Sequence, residues 1–344
     1  MSVLIDTSFD LRGYIESHIG GRAENQDSAG ALETKIGTIV VVCDGMGGMN
    51  GGKTASMLAV QTIIDFVAGV SENDDPEEVL ENAFKCAHEK IREKSLSDSS
   101  LAGMGTTATA IIISKKSATI AHVGDSRIYQ LRSKKKVYRT TDHSMVFQLV
   151  ASGVLSEEQA RLSSQSNIIL KALGIEGDAT PDVKTLPYLK GDRFVLCTDG
   201  FWGSQPEDDF IRMISGKVHL KELLWNAVKE VNRHGIISGG GHDNLTAAVI
   251  DLNCESKLKP RMTNRMKILL SVVFLLLAFS IGVNFFSYKK WKEYSPKLKA
   301  AQEYVSTLSD SSDSVMCVSQ KKLIETFSKP LEIKEESKDT LKNQ

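Results

Sequence analysis

Four aspartates in this sequence stand where a short apolar run meets a loop: IVVVCDGMGG carries Asp44, IAHVGDSR Asp125, FVLCTDGFWG Asp199 and GGGHDNLTAAVI Asp243. A fifth, Asp27, lies in GGRAENQDS. A single Asp-Gly pair reads as a turn, because both residues favour turn backbone. Four such aspartates at strand ends read differently, since strands of one sheet can converge the side chains at their ends on a common cleft. Carboxylates gathered there repel one another, and one or more must take up a proton unless a divalent cation offsets the charge. No His or Cys accompanies them at ligand spacing, so the donors are oxygens and the fitting ions are hard ones, Mn2+ or Mg2+. Gly45 lets its backbone carbonyl approach such an ion without a side chain in the way. Two ions about 3.5–4 Å apart turn a shared water into a nucleophile near neutral pH, which is the chemistry of phosphoester hydrolysis. Arg22, five residues before Asp27, offers a planar guanidinium fork for two phosphate oxygens.

Two glycine-rich segments do not compete with this reading. GMGTTA at residues 103–108 matches G-x-G-x-x-A but precedes a strand instead of joining a strand to a helix, and residues 44–52 lack the G-K-S/T ending of a phosphate-binding loop. The charge balance points the same way. The 344 residues hold 42 basic and 43 acidic side chains, yet residues 1–255 carry 26 Lys and Arg against 34 Asp and Glu, whereas residues 256–344 carry 16 against 9. An acidic first part suits cations and argues against nucleic acid as a partner. Five scattered cysteines, without a C-x-x-C pair or a signal-peptide pattern, read as reduced thiols in a cytosolic domain. The seven histidines show no zinc-ligand spacing.

The elements that must position the aspartates mix strands and helices. Residues 36–43, 108–114, 118–123, 127–132, 193–197 and 245–251 are short β-branched runs. Residues 53–67, 76–94 and 218–234 have helical periodicity, with Val79, Leu80, Ala83, Phe84, Ala87 and Ile91 on one face of the second. Strands come in groups rather than in strict alternation with helices, which predicts antiparallel sheets covered by helices. The run from Ser117 to Arg132 and onward past Lys134, Lys135 and Lys136 predicts an antiparallel meander.

Residues 268–288, ILLSVVFLLLAFSIGVNFFSY, contain no charge over 21 positions. As a helix they span roughly 31 Å, about one hydrocarbon core. Basic residues flank both ends, and Tyr288 and Trp291 stand at one boundary as interfacial aromatics do. The sequence therefore divides into a folded domain at 1–255, a basic linker at 256–267, one transmembrane helix at 268–288 and a tail at 289–344. Each flank carries five Lys or Arg, so charge bias does not orient the span. The free thiols and the absent signal pattern place the domain in the cytoplasm and the tail outside it.

Seven motifs in order, RAENQD (22–27), VVCDGMGG (41–48), GMGTTAT (103–109), HVGDSRIY (122–129), TDHS (141–144), LCTDG (196–200) and GHDN (241–244), resemble the metal-dependent Ser/Thr protein phosphatases of the PPM, or phosphatase 2C-like, family in its bacterial form. The match covers about residues 10–252. The resemblance implies an α+β fold, an α-β-β-α sandwich of two antiparallel sheets flanked by helices. It implies Asp44 bridging two ions, Gly45 giving its carbonyl, Asp199 and Asp243 completing the second metal, and Asp125 with Asp199 holding a weaker third ion. Asp27 and Asn244 are implied to position water, and Arg22 to bind phosphate. Partners implied are phosphorylated proteins, a cognate Ser/Thr kinase and its substrates, and membrane lipid. Eukaryotic members have His where Met46 stands, and methionine cannot donate a proton to the leaving alcohol. Lys171 in NIILKALG stands where relatives often have Arg, next to a flap from about Ser144 to Asn167 that governs substrate choice. The alternative reading is a catalytically silent, membrane-anchored scaffold that binds phosphoproteins. Such a scaffold is expected to have lost some of Arg22, Asp44, Asp199 and Asp243, and all four are present.

Overall fold

The computed structural model describes residues 1–310 apart from 6, 8, 9, 164 and 260–263. It divides into two compact units, Met1–Arg261 and Met262–Gln344. Cys317 and the tail beyond residue 310 lie outside the described residues.

Two antiparallel sheets form the first unit. In one, the strand order is β1 (Ser2–Ile5), β2 (Leu11–His18), β13 (Leu245–Leu252), β12 (Arg193–Cys197), β9 (Arg127–Arg132) and β10 (Lys135–Arg139). In the other it is β11 (Asp182–Leu186), β8 (Ala118–Val123), β7 (Ala108–Ile113), β4 (Gly37–Cys43) and β3 (Ser28–Thr34). A two-stranded ribbon pairs β5 (Gly45–Met46) with β6 (Gly105–Thr106).

Alternation of side chains along each strand builds three apolar layers from two sheets. Val40 and Val42 of β4 meet Phe194 and Leu196 of β12 and Ala248 and Ile250 of β13 in a core that also holds Ile15, Ile111 and Ile128. Their neighbours Ile39, Val41 and Cys43 face the opposite way, onto α1 (Gly48–Gly69) and α2 (Pro76–Ser97), where Ile63, Leu80, Phe84 and Ile91 are buried. Val195, Cys197, Ala247 and Val249 pack instead on α6 (Glu207–Ile214) and α7 (Leu220–Ile237). Both sheets are thus covered on both faces, which explains why their strands read as nearly unbroken apolar runs. The result is the α-β-β-α sandwich. On α2 the buried residues are Val79, Leu80, Ala83, Phe84, Ala87 and Ile91, and Asp75 caps its first turn through the Glu77 amide.

One expectation changes. The meander from Ser117 onward is interrupted, because β8 and β9 belong to different sheets. Only Gly124, Asp125 and Ser126 separate them, and Gly124 turns the chain at φ +101°, a conformation that favours glycine. The apolar runs on either side look alike because both are buried, so periodicity alone cannot show the change of sheet. That corner carries Asp125 into the space between the sheets.

The flap region contains two short helices, α3 (Met145–Ala151) and α4 (Glu157–Arg161), and α4 starts in a capping box between Ser156 and Gln159. The short helix α5 (Asp199–Trp202) follows β12 directly. In the second unit, α8 (Asn264–Asp310) is one helix of 47 residues with Pro296 inside it.

Phe194 is fully buried between the sheets. Phe194→Ala is expected to cost about 3–5 kcal/mol, through lost burial and the cavity left behind. Urea unfolding of the Met1–Arg261 unit measures it as a lowered midpoint with an unchanged slope.

Candidate metal centre and phosphate site

Every sequence-predicted site residue arrives at one edge of the sandwich. Asp44 follows β4, Asp125 occupies the β8–β9 corner, Asp199 follows β12, Asp243 precedes β13 and Asp27 precedes β3. Two adjoining recesses open there. One, of about 460 Å³, is lined by Arg22, Gln26, Asp44, Gly45, Asp243 and Asn244. The other, of about 410 Å³, is lined by Asp125, Asp199 and Trp202 together with the flap residues Arg161, Ser166 and Asn167. Arg22 and Asp243 form the wall that both share.

The backbone around each carboxylate is fixed by hydroxyls and amides whose roles the sequence did not reveal. The Asp44 amide donates to Thr107 Oγ1 at 3.0 Å, and the Asp44 carbonyl accepts from the Thr107 amide at 2.9 Å and from Thr106 Oγ1 at 2.7 Å. This gives GMGTTAT its purpose: its threonines clamp the turn after β4. Thr107 Oγ1 also meets Ser126 Oγ at 2.8 Å, linking that turn to the Asp125 corner. Gly45 has a packing reason to be glycine beside the chemical one, because a Cβ there would stand 2.0 Å from the Gly52 carbonyl oxygen. Thr198 Oγ1 donates to Asp27 Oδ2 at 3.0 Å.

Asn244 ties the loop that carries Arg22. Its Nδ2 donates to the carbonyls of Ile19 at 2.7 Å and Glu24 at 2.9 Å, and its Oδ1 accepts from the Gln26 amide at 2.8 Å. Arg22 is half exposed and forks onto Asp243, with Nε 3.1 Å from Oδ1 and Nη2 2.8 Å from Oδ2. In sequence Arg22 stands five residues before Asp27; the fold pairs it with a carboxylate 221 residues away.

Electrostatics in the cleft follow from burial and crowding. Burial pushes the Asp44 carboxyl well above the usual range, and the charges of Asp27, Asp199, Asp125 and Asp243 add to it. Asp125 is raised by burial and then by Asp199 and Asp142, and Asp199 by burial and then by Asp243. Burial carries Asp27 up to about 7 even though Thr246 and Thr198 hydroxyls favour its charged form. Among the described residues, Asp27 Oδ1, Asp125 Oδ1 and Asp199 Oδ1 are buried without a hydrogen-bond partner. Buried carboxylate oxygens left bare are costly unless something positive meets them. An all-oxygen donor set with bare buried oxygens fits Mn2+ or Mg2+.

Behind Asp125 lies a buried cation that sequence reasoning missed. Arg127 donates to both oxygens of Asp142, at 2.8 and 2.7 Å, and to Tyr129 Oη at 3.0 Å. Its guanidinium carbon lies 3.3 Å from the centre of the Trp202 ring and 4.9 Å from that of Phe147 on α3. Trp202 Nε1 in turn donates to the Asp125 carbonyl at 3.1 Å. One network therefore joins the Asp125 corner, the helix that starts at Asp199 and the flap. HVGDSRIY and TDHS hold both halves of the pair, but nothing in the sequence shows that they meet.

Among the described residues one further group could offer ligand atoms, His122, His143 and Asp182, within 4.8 Å of one another. Strand register creates it, since Asp182 of β11 stands opposite His122 of β8. His122 Nε2 meets the Thr141 carbonyl at 2.9 Å, His143 Nδ1 accepts from the Gly124 amide at 3.2 Å, and His143 Nε2 lies 3.3 Å from Asp182. The two rings stack at 4.6 Å. The described cysteines, 43, 86, 197 and 254, are free, and burial raises the thiol pKa of Cys43 and Cys197. Lys171, beyond the flap, pairs with Asp178 at 2.8 Å.

Antiparallel sheets that bring aspartates and a half-exposed arginine, Arg22, to a shared edge define a class of metal-dependent phosphoester hydrolases. The family description Protein phosphatase 2C matches residues 16–234. The serine/threonine phosphatase stp of Listeria welshimeri is 34% identical over 250 residues, covering 72% of this chain and 95% of that protein. The structure of the Streptococcus agalactiae serine/threonine phosphatase superposes with a TM-score of 0.64 at 30% identity, over 70% of this chain and 99% of that one. The catalytic domain of the phosphatase PstP, solved with two manganese ions, superposes with a TM-score of 0.61 at 28% identity, over 70% of this chain and 98% of that one. The chain belongs to the protein phosphatase 2C family.

Asp142→Asn leaves the Arg127 charge buried against an uncharged partner and is expected to destabilise the domain by about 3–5 kcal/mol. Pairing Arg127→Met with Asp142→Leu is expected to cost less, because no lone charge remains. Thermal unfolding of the two variants gives the order.

Proposed function

We propose that this chain is a metal-dependent phosphatase of phosphoserine and phosphothreonine on proteins, working at the cytoplasmic face of a membrane. The observation that carries the reading is the convergence of five aspartates beside the Arg22 guanidinium, with three carboxylate oxygens buried and left bare among the described residues. Asp44, Asp199, Asp243 and the Gly45 carbonyl would hold two cations, and Asp125 with Asp199 a third, weaker one. Bound there, Mn2+ or Mg2+ supplies an activated water and positive charge at the phosphoryl oxygens near neutral pH.

The chain's own residues supply the rest. Arg22 grips the phosphate with the same fork that now holds Asp243, and Asn244 keeps the Arg22 loop in place through three backbone hydrogen bonds. Asp27, held by Thr198, leaves one buried oxygen to accept a hydrogen bond from water. Met46 cannot act as an acid, so the leaving alcohol takes its proton from another acid or from water. The flap residues Arg161, Ser166 and Asn167 line the cleft, so residues flanking the phosphoamino acid are read there. Retention of Arg22, Asp44, Asp199 and Asp243 favours catalysis over a silent scaffold. Phosphorylated proteins made by a Ser/Thr kinase are the substrates.

Helix α8 holds an apolar stretch within Ser271–Tyr304 that is long enough to cross a membrane, and its side chains are exposed. We place the span at residues 268–288, the catalytic domain (1–255) with its basic linker (256–267) in the cytoplasm, and the tail from Lys289 beyond the membrane.

Hydrolysis of a phosphothreonine peptide is expected to require Mn2+ or Mg2+ and to stop in EDTA. Arg22→Ala is expected to raise KM on that peptide and on an activated aryl phosphate while leaving hydrolysis of the aryl phosphate detectable. Full turnover in EDTA sinks the metal reading, and unchanged constants on both substrates remove Arg22 from the site. Topology is read by adding protease to spheroplasts, where a C-terminal tag is expected to be trimmed and an N-terminal one spared. Survival of both tags until the membrane is opened places the tail inside.

A further inference from the structure

The corner that carries Asp125 is held by a residue of another motif. Gly124 lies between β8 and β9, beyond the end of one strand and before the start of the other, and a Cβ there would stand 2.6 Å from Thr107 Cγ2. Its peptide groups are buried and need partners all the same. His143, in TDHS, supplies both. The Gly124 amide donates to His143 Nδ1 at 3.2 Å, and the Gly124 carbonyl accepts from the His143 amide at 2.9 Å.

The surroundings of His143 fix the ring that makes the first of these bonds. An amide N–H only donates, so Nδ1 presents its lone pair and the imidazole proton sits on Nε2. Nε2 lies 3.3 Å from Asp182 Oδ2, a carboxylate that favours this tautomer. With Nδ1 taken by Gly124 and Nε2 by its proton, His143 in this arrangement is a hydrogen-bond link and offers no nitrogen to an ion. The His122 ring stacks on it and is itself held at Nε2 by the Thr141 carbonyl, 2.9 Å away. The His143 carbonyl accepts from the Leu170 amide at 2.8 Å, which anchors its backbone across the base of the flap.

Asp125 follows Gly124 directly and is 3% exposed, with Oδ1 bare among the described residues. The backbone on either side aims its carboxylate: the Gly124 peptide before it, and its own carbonyl, which accepts from Trp202 Nε1. We infer that His143 is a positioning residue for Asp125, setting through the Gly124 peptide the direction in which that carboxylate meets a weakly held cation; the inference rests on the cation placement proposed above. Partners that orient an ion's ligand are worth about 10–100-fold in affinity. Ions held by Asp44, Asp243 and the Gly45 carbonyl lack this dependence, because those groups stand on other segments.

Two substitutions separate the Gly124 hydrogen bond from the filling of space. The side-chain oxygen of Asn takes the position of Nδ1 and can accept from Gly124, whereas the amide of Gln reaches the position of Nε2 and leaves the Gly124 amide without its acceptor; neither restores the ring. Mn2+ binding to the full-length chain, purified in detergent and stripped with EDTA, is followed by calorimetry for wild type, Asp125→Asn, His143→Asn and His143→Gln. Wild type is expected to show a tighter and a weaker phase, and Asp125→Asn to lack the weaker one. His143→Gln is expected to weaken that phase alone by about tenfold or more, and His143→Asn to keep it within about threefold of wild type. Equal weakening in the two His143 variants, no change in either, or loss of the tighter phase along with the weaker overturns the positioning role and leaves the cation placement standing. A weaker phase that is missing from wild type or persists in Asp125→Asn overturns the cation placement and the inference with it.

Discussion

Burial of clustered aspartates, compounded by their mutual repulsion, is the constraint around which the first unit is organised. Asp27, Asp44, Asp125, Asp199 and Asp243 come from separate segments, and in the folded chain burial and one another's charge raise the pKa of Asp27, Asp44, Asp125 and Asp199. No sequence would assemble such a group for stability, because each buried oxygen without a partner costs free energy. The sandwich tolerates it since three apolar layers, shared by two sheets and their covering helices, fix the strand ends before the carboxylates are considered. Strain of this kind, supported by the surrounding fold, belongs to a site prepared for a charged ligand.

Neutral groups hold the carboxylates in place from behind, while positive groups are few and specific. Thr106, Thr107 and Thr198 bind the backbone or side chains of Asp44 and Asp27 without changing the local charge. Arg22 faces the cleft from a loop that Asn244 secures, and Arg127 stands behind Asp125 against Trp202. The two arginines therefore differ in kind. Arg22 is half exposed and free to exchange one anionic partner for another, whereas Arg127 is enclosed with Asp142 and serves to fix geometry.

Much of this was legible in the sequence because it is written locally. Apolar runs that end in an aspartate marked Asp44, Asp125 and Asp199, a run entered from one marked Asp243, and α2 was visible from the spacing of Val79, Leu80, Ala83, Phe84, Ala87 and Ile91. The change of sheet at Gly124 was not, since strands buried on both faces carry the same pattern whichever sheet they join. Pairings across long separations were also hidden. Arg22 with Asp243, Arg127 with Asp142, and Asn244 with the Arg22 loop depend on which strands lie side by side.

The central claim is that the carboxylate cluster is maintained for cations at the expense of the fold. Thermal unfolding of the Met1–Arg261 unit, with and without Mn2+, tests it most directly when wild type is compared with Asp199→Asn. Without metal, the variant is expected to melt higher, because one member of a repelling group is gone. With saturating Mn2+ the order is expected to reverse, as only the wild type gains fully from binding. A variant that melts lower without metal, together with equal Mn2+ shifts in both proteins, would contradict the account.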